Sequence, residues 1–297
     1  MRTTMKKIGL FPVVALAALI GCQQPADVEL KPEPEVSPLE VLPVKIPDTL
    51  VTPRSIDTVA VLPHDQMNFY GAYVVNSVTL DGGPTNRTSF AYSSVLVSDS
   101  VIRYLSRDVG FYGIDLGVVT LNGSLMVEAP HRIRLHSSVL ADTVLVRGVE
   151  YLVDLSQTYT PNHLYTWVST SLQFGRAEVS ITTPDDVRVL SPGGGSIVSR
   201  DRDLPLRWSG VNGRLTIIVS AYDRFSKRTF PLLELRPRLN TGRALVPATL
   251  LRQLPQKGTF VFTFILSNRK EITGTQSKGG RVLVQAASVY NSYIELR

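Results

Sequence analysis

From Asp57 onward the chain is a succession of short runs rich in β-branched and aromatic residues, cut by glycine and asparagine turn signals. That pattern restricts it to an all-β fold. Strand-like runs fall at Asp57–Leu62, Phe69–Leu80, Thr88–Val97, Val101–Leu105 and Val118–Val127. They continue at Arg132–Leu140, Thr143–Val146, Tyr151–Leu155, Leu164–Leu172 and Ala177–Thr182. Asp81-Gly82-Gly83 closes the second run, and Asn122-Gly123 divides the fifth into the two arms of a type I′ hairpin. No segment in this half keeps a helical period for three turns. Hydrophobic residues make up 43%, enough to fill real cores and to exclude a generally disordered chain.

A second unit begins near Pro184 with Val187–Pro192 and the flexible Gly193-Gly194-Gly195. In Leu204-x-Leu206-x-Trp208 the large apolar residues alternate onto one face, and Trp208 is expected to be buried. Strands are expected at Leu215–Ala221, Thr259–Leu266, Arg281–Ala286 and Ser292–Leu296. Pro247–Leu254 reads as one short helical turn, with Pro247 at its first position and Leu250, Leu251 and Leu254 inward. The fold expectation is two β-sandwich-like domains, 56–183 and 184–297. Leu190-Ser191-Pro192, Leu204-x-Leu206-x-Trp208 and Ala244–Pro247 leading into Leu250 give the second unit its resemblance. It resembles an immunoglobulin-like or fibronectin type III-like sandwich, similar to the C-terminal modules of poorly characterised bacterial lipoproteins. The cysteine pair of antibody domains is absent, so the likeness is architectural and names no ligand.

The N-terminus carries an address. Arg2, Lys6 and Lys7 precede an apolar run from Ile8 to Ile20, and Gly21 precedes Cys22, the single cysteine. Basic start, short apolar core and small residue at the cut make 1–21 a signal peptide. The run is too short for a spanning helix, which needs about 20 apolar residues. Leu19-Ile20-Gly21-Cys22 resembles the lipobox of bacterial lipoproteins, which implies cleavage between Gly21 and Cys22 and acylation of Cys22. Gln23 stands where an aspartate in that family favours inner-membrane retention, so the resemblance implies an outer-membrane anchor. Whether the protein would face the periplasm or the exterior is left open. Losing Arg2, Lys6 and Lys7 takes the 31 basic residues to 28 against 25 acidic, and the net charge from +6 to +3. So weak and scattered a basic balance leaves no footprint for nucleic acid. From 22 to 55 the chain is punctuated by Pro25, Pro32, Pro34, Pro38, Pro43, Pro47 and Pro53. Repeated prolines remove donors and fix φ, which favours an extended stalk. An edge strand at Val36–Ile46 is the alternative.

Chemical motifs are sparse. His131 and His136, five apart in a β run, would point to opposite faces, and His64 and His163 sit in loop contexts, so surface or turn positions are expected rather than metal ligands. Gly123-Ser124 and Gly195-Ser196 do not reproduce the Gly-x-Ser-x-Gly elbow of a nucleophile. Gly193-Gly194-Gly195 lacks the lysine and helix of a phosphate loop. Asp201-x-Asp203 resembles half a calcium site, but Arg200, Arg202 and Arg207 surround it and would repel a cation. Asp185-Asp186 is the other acidic pair, and Asn86-Arg87-Thr88 matches a glycosylation sequon by chance. Tyr70, Tyr73, Phe90, Tyr92, Tyr104, Phe111, Tyr112, Tyr151, Tyr159, Tyr165 and Trp167 could build an exposed platform, but aromatics are favoured in strands and are expected mainly in cores and at rims. No catalytic residue, metal ligand or cofactor is expected, and the chain is not expected to be an enzyme, although distant loops could assemble a hydrolase site. The expectation is a lipid-anchored envelope protein with a structural or accessory role, bound to another envelope protein. The alternative is a glycan-binding lipoprotein that uses exposed aromatics.

Overall fold

The structure is a computed structural model that describes residues 36–43, 52–53, 69–104, 107–135, 143–225, 228–255, 258–273 and 280–297. Gly21, Cys22, the run Asp57–Leu62, His64 and His136 lie outside the described residues. In chain order the first strands are β1 (Leu39–Pro43), β2 (Thr52–Pro53), β3 (Gly71–Asp81), β4 (Arg87–Tyr104), β5 (Arg107–Gly113), β6 (Val118–Leu121), β7 (Ser124–Leu125), β8 (Val127–Leu135) and β9 (Thr143–Asp154). After them come β10 (Leu164–Ser171), β11 (Gly175–Thr182), β12 (Arg188–Ser191), β13 (Ile197–Val198), β14 (Leu204–Ser209), β15 (Arg214–Asp223), β16 (Arg228–Pro237) and β17 (Arg243–Val246). The helix α1 (Ala248–Leu251) and strands β18 (Gly258–Thr273) and β19 (Arg281–Leu296) complete the series.

The fold is all-β and sandwich-like. Twelve strands form one sheet in the order β1-β16-β15-β18-β19-β3-β4-β5-β9-β8-β2, with β13 added on β19. Two smaller sheets, β11-β10-β6-β7 and β12-β14-β17, supply opposing layers. One core gathers Leu204, Leu206 and Trp208 from β14 with Ile217, Leu235, Phe262 and Phe264 of the large sheet. The other gathers Leu121, Tyr165 and Trp167 from the four-stranded sheet with Tyr73, Val75, Val95 and Tyr151. Each core holds one tryptophan, and each indole N–H is satisfied: Trp167 donates to Ser93 Oγ at 2.9 Å and Trp208 to Asn240 Oδ1 at 2.7 Å. Aromatics therefore carry apolar area inward without burying an unpaired donor.

The two cores divide near residue 184, yet the sheet beneath them runs on without a break. β19 lies parallel to β3, pairing Leu283–Ser292 with Ala72–Asp81, and residues Pro34–Arg297 form one compact unit. The last strand serves both cores: Val282, Val284 and Ala286 enter one, while Tyr290, Ile294 and Leu296 enter the other. On the opposite face Val78, Ile218, Ile265, Ala287 and Val289 form a third cluster, against which Leu80, Phe90 and Tyr92 pack.

The predicted hairpin is present, with Asn122 at φ 49° and Gly123 at φ 81° between β6 and β7. The helical turn is present too, with Pro247 as its extended N-cap instead of its first helical residue, and its C-terminal carbonyls are held from outside. Arg200, 9% exposed, donates to the carbonyls of Leu251 and Arg252, both at 3.2 Å, and to that of Leu254. The Leu251 carbonyl also accepts from Leu254 N at 3.2 Å, and a cation at the carbonyls that end a helix is favoured by the helix dipole.

The proline-rich segment departs from the stalk expectation where it is described. Leu39–Pro43 pairs antiparallel with β16, and Ser37 bridges to Ala244. This is the edge-strand alternative. Pro38 and Pro43 sit at the margins of an edge strand, where a missing N–H removes no central ladder bond. The Pro38 carbonyl in turn accepts from Arg238 N at 3.0 Å.

Candidate functional site

Most residues singled out in the sequence have structural work. Asp185 accepts from Asn162 Nδ2 at 2.6 Å and from the N–H groups of Val211 and Asn212 at 2.9 and 2.8 Å. Those bonds hold its carboxyl below the ordinary carboxylate value and tie together turns from both halves of the chain. Asp186 accepts from Ser288 Oγ and pairs with Arg188. Asp203 accepts from Ala248 N at the start of α1, and Asp201 pairs with Arg252. Among the described residues no three His, Cys, Asp or Glu side chains gather as a metal cluster. His163 is exposed, edge-on to Tyr165. His131 corrects the expectation of a surface histidine: it is 5% exposed at the β8 irregularity between Pro130 and Arg132, with Nδ1 3.5 Å from Glu150 Oε2. Pro130 and Arg132 on either side are exposed, so alternation along β8 places His131 on the covered face.

The glycine run is a structural loop with a specific partner. Gly194 N donates to Asp81 Oδ2 at 3.2 Å, and a Cβ on Gly194 would lie 2.1 Å from the Asp81 carbonyl oxygen. Asp81 is buried and also accepts from Gly83 N, from Arg87 at 3.1 Å and from Tyr290 Oη at 2.6 Å. Burial pushes the Asp81 carboxyl up. Hydrogen bonds from Tyr290, Arg87, Gly194 and Gly83 outweigh it and hold the carboxyl below its ordinary value, while burial and then Asp81 push the Tyr290 phenol up to about 12. A group whose folded pKa is depressed stabilises above its unfolded value, about 3.9 for Asp, and loses that contribution as pH falls through the folded value. Asp81→Asn should therefore melt below wild type at pH 7, and the deficit should shrink as pH falls below about 4. Melting curves across that range check this, and a deficit independent of pH would refute the ionised, hydrogen-bonded carboxylate.

The aromatics are mainly core. Tyr73, Tyr151, Tyr165 and Trp167 are buried, Tyr70, Phe90, Tyr92, Phe111 and Tyr159 are half-buried, and Tyr112 is exposed. Both tryptophans are thereby removed from any exposed platform. Among the described residues an opening lies on the large sheet: a groove of about 620 Å³ lined by Phe90, Tyr92, Val127, Leu152 and Val153, with exposed Asp154 and Ser156. Register explains its place. Ile265, Val289, Val78 and Phe90 form one row across β18, β19, β3 and β4. In the adjacent row Asn76 pairs with Tyr92, and Tyr92 with Asp154. Asn76 Nδ2 donates to Tyr92 Oη at 2.9 Å, whereas Asn76 Oδ1, on a residue 6% exposed, has no partner among the described residues.

The groove borders an incomplete ladder. β4 pairs with β9 only over Tyr92–Val95, after which Ala91 O accepts from Leu155 N and Ala91 N donates to Ser156 Oγ. Backbone groups alternate along a strand, so Ser89 and Arg87 present theirs in the same direction as Ala91. No described strand continues the ladder there, and Arg87, Thr88 and Ser89 are exposed. No single sequence motif marks this place, because β4, β8 and β9 build it jointly.

Comparison with protein-family models and with curated protein sequences finds no match.

Proposed function

We propose that this chain is a lipid-anchored protein of the bacterial cell envelope, held in the outer membrane through an acylated Cys22. It works as a structural or accessory subunit that binds another envelope protein, and catalysis has no part in this reading. The address rests on Arg2, Lys6 and Lys7, the apolar run Ile8–Ile20 and Leu19-Ile20-Gly21-Cys22. Binding rests on one observation: an apolar groove beside a stretch of strand edge that no described strand pairs, the combination that suits a protein partner. Affinity purification from detergent-solubilised envelopes, with wild type and Leu152→Asp side by side, tests it. A partner retained by wild type and lost from a Leu152→Asp variant of unchanged melting temperature supports the reading. The same partners on both remove the groove from it.

The anchor has its own test. Cys22→Ser should abolish incorporation of a metabolically supplied fatty acid and leave an uncleaved or mislocalised precursor. One acyl chain gives only marginal membrane binding and stable anchoring takes two signals, so losing a multiply acylated terminus should release the protein from the membrane fraction. Equal labelling of variant and wild type would end the lipoprotein proposal.

A further inference from the structure

The geometry points to strand addition: we propose that the partner contributes an extended peptide segment that pairs with Arg87–Ser89 of β4 and lays an apolar side chain into the groove of Phe90, Tyr92, Val127 and Leu152. This rests on the protein-binding reading above and specifies its mode. The outer edge of β4 offers the N–H and C=O groups of Arg87 and Ser89 in line with the satisfied Ala91, so an added strand continues a register that already exists. Alternate side chains of such a strand point to one face, and every second one meets the apolar row that ends on Phe90. Val127, 67% exposed, gains most from being covered.

Charge narrows the partner further. The Arg87 guanidinium is matched by Asp81 at 3.1 Å, and the exposed Asp154 carboxylate has no cation among the ion pairs of the described residues. Ser156 gives Asp154 two hydrogen bonds, from Oγ at 2.6 Å and from N at 2.8 Å, and neither removes its charge. The complementary segment is apolar at alternate positions with a lysine or arginine beside the residue that enters the groove.

A panel of short fluorescent peptides, with valine, leucine, phenylalanine or tyrosine at alternate positions and flanking lysines, is titrated against the whole protein by anisotropy. At least one peptide should bind saturably. N-methylating the alternate amides that face β4 should weaken it by at least about tenfold, and N-methylating the intervening amides should not. Ser89→Pro, which removes an outward donor at a strand edge, should weaken the same peptide comparably. Equal binding of the two N-methylated series, or no saturable binding by any peptide, overturns strand addition. The two readings fail separately. An envelope partner that depends on Leu152 but is indifferent to Ser89→Pro leaves protein binding standing and refutes the added strand, whereas wild type that retains no partner refutes the function itself.

Discussion

Replacing Trp208 with alanine is expected to cost about 3–5 kcal/mol of stability, as truncation of a buried aromatic generally does. The indole is 3% exposed at the end of the alternating face Leu204, Leu206, Trp208. It lies 5.9 Å, centroid to centroid, from Phe264 of the large sheet and so packs directly between layers. Truncation would open a cavity and leave the Asn240 amide oxygen without the donor it takes at 2.7 Å. Both terms destabilise, and together they approach much of the 5–15 kcal/mol that usually separates folded from unfolded states. Thermal unfolding of the whole protein measures the loss, and an unchanged midpoint would take Trp208 out of the core. Because β19 feeds both cores, Trp167 fluorescence should shift together with the loss of far-ultraviolet β signal. Two separated transitions would mean that the continuous sheet does not couple them.

The Trp208 face was legible because all its information is local. Period-two alternation in six residues says which side is buried, and the β12-β14-β17 sheet packs it as the pattern requires. Asn122-Gly123 was legible for the same reason. β19 reads as two strands, because Ser288 and Asn291 interrupt the apolar run; in the fold both, and Ser292 after them, are nearly fully buried. Their partners are distant in sequence: Ser288 bonds Asp186, Ser292 bonds the Pro192 carbonyl, and Asn291 accepts from Thr263. Buried polar groups are tolerated when paired, and local pattern cannot supply the pair. β16 was hidden by Pro231, which sits opposite Ser220 where the register with β15 shifts. An irregularity is one of the few places a sheet accepts proline. The groove was illegible for a deeper reason. Phe90, Val127 and Leu152 become neighbours only through the pairing of β4 with β9 and β9 with β8.

Gly148→Ala should be comparably damaging, at about 2–5 kcal/mol, for reasons that separate into two parts. Gly148 has φ +76°, a left-handed conformation that costs a residue with a Cβ about 1–2 kcal/mol. A Cβ there would also stand 1.8 Å from the Gly113 carbonyl oxygen and 2.8 Å from its nitrogen, a clash with backbone that no side-chain rotation relieves. The approach is mutual, since a Cβ on Gly113 would lie 2.1 Å from the Val149 carbonyl oxygen. This glycine pair is the parallel bridge where β5 meets β9. Forcing it apart displaces Ile114–Leu116, and with them the fully buried Leu116 and the bond from its N–H to Tyr151 Oη at 2.8 Å. Gly123→Ala is the internal control: φ is +81° there, but nothing lies within 4 Å of the added methyl, so only the backbone part of the cost remains. Chemical denaturation of both variants should place Gly148→Ala below Gly123→Ala by the steric part, about 1–3 kcal/mol. Equal losses would mean that β5 and β9 can move apart at no cost.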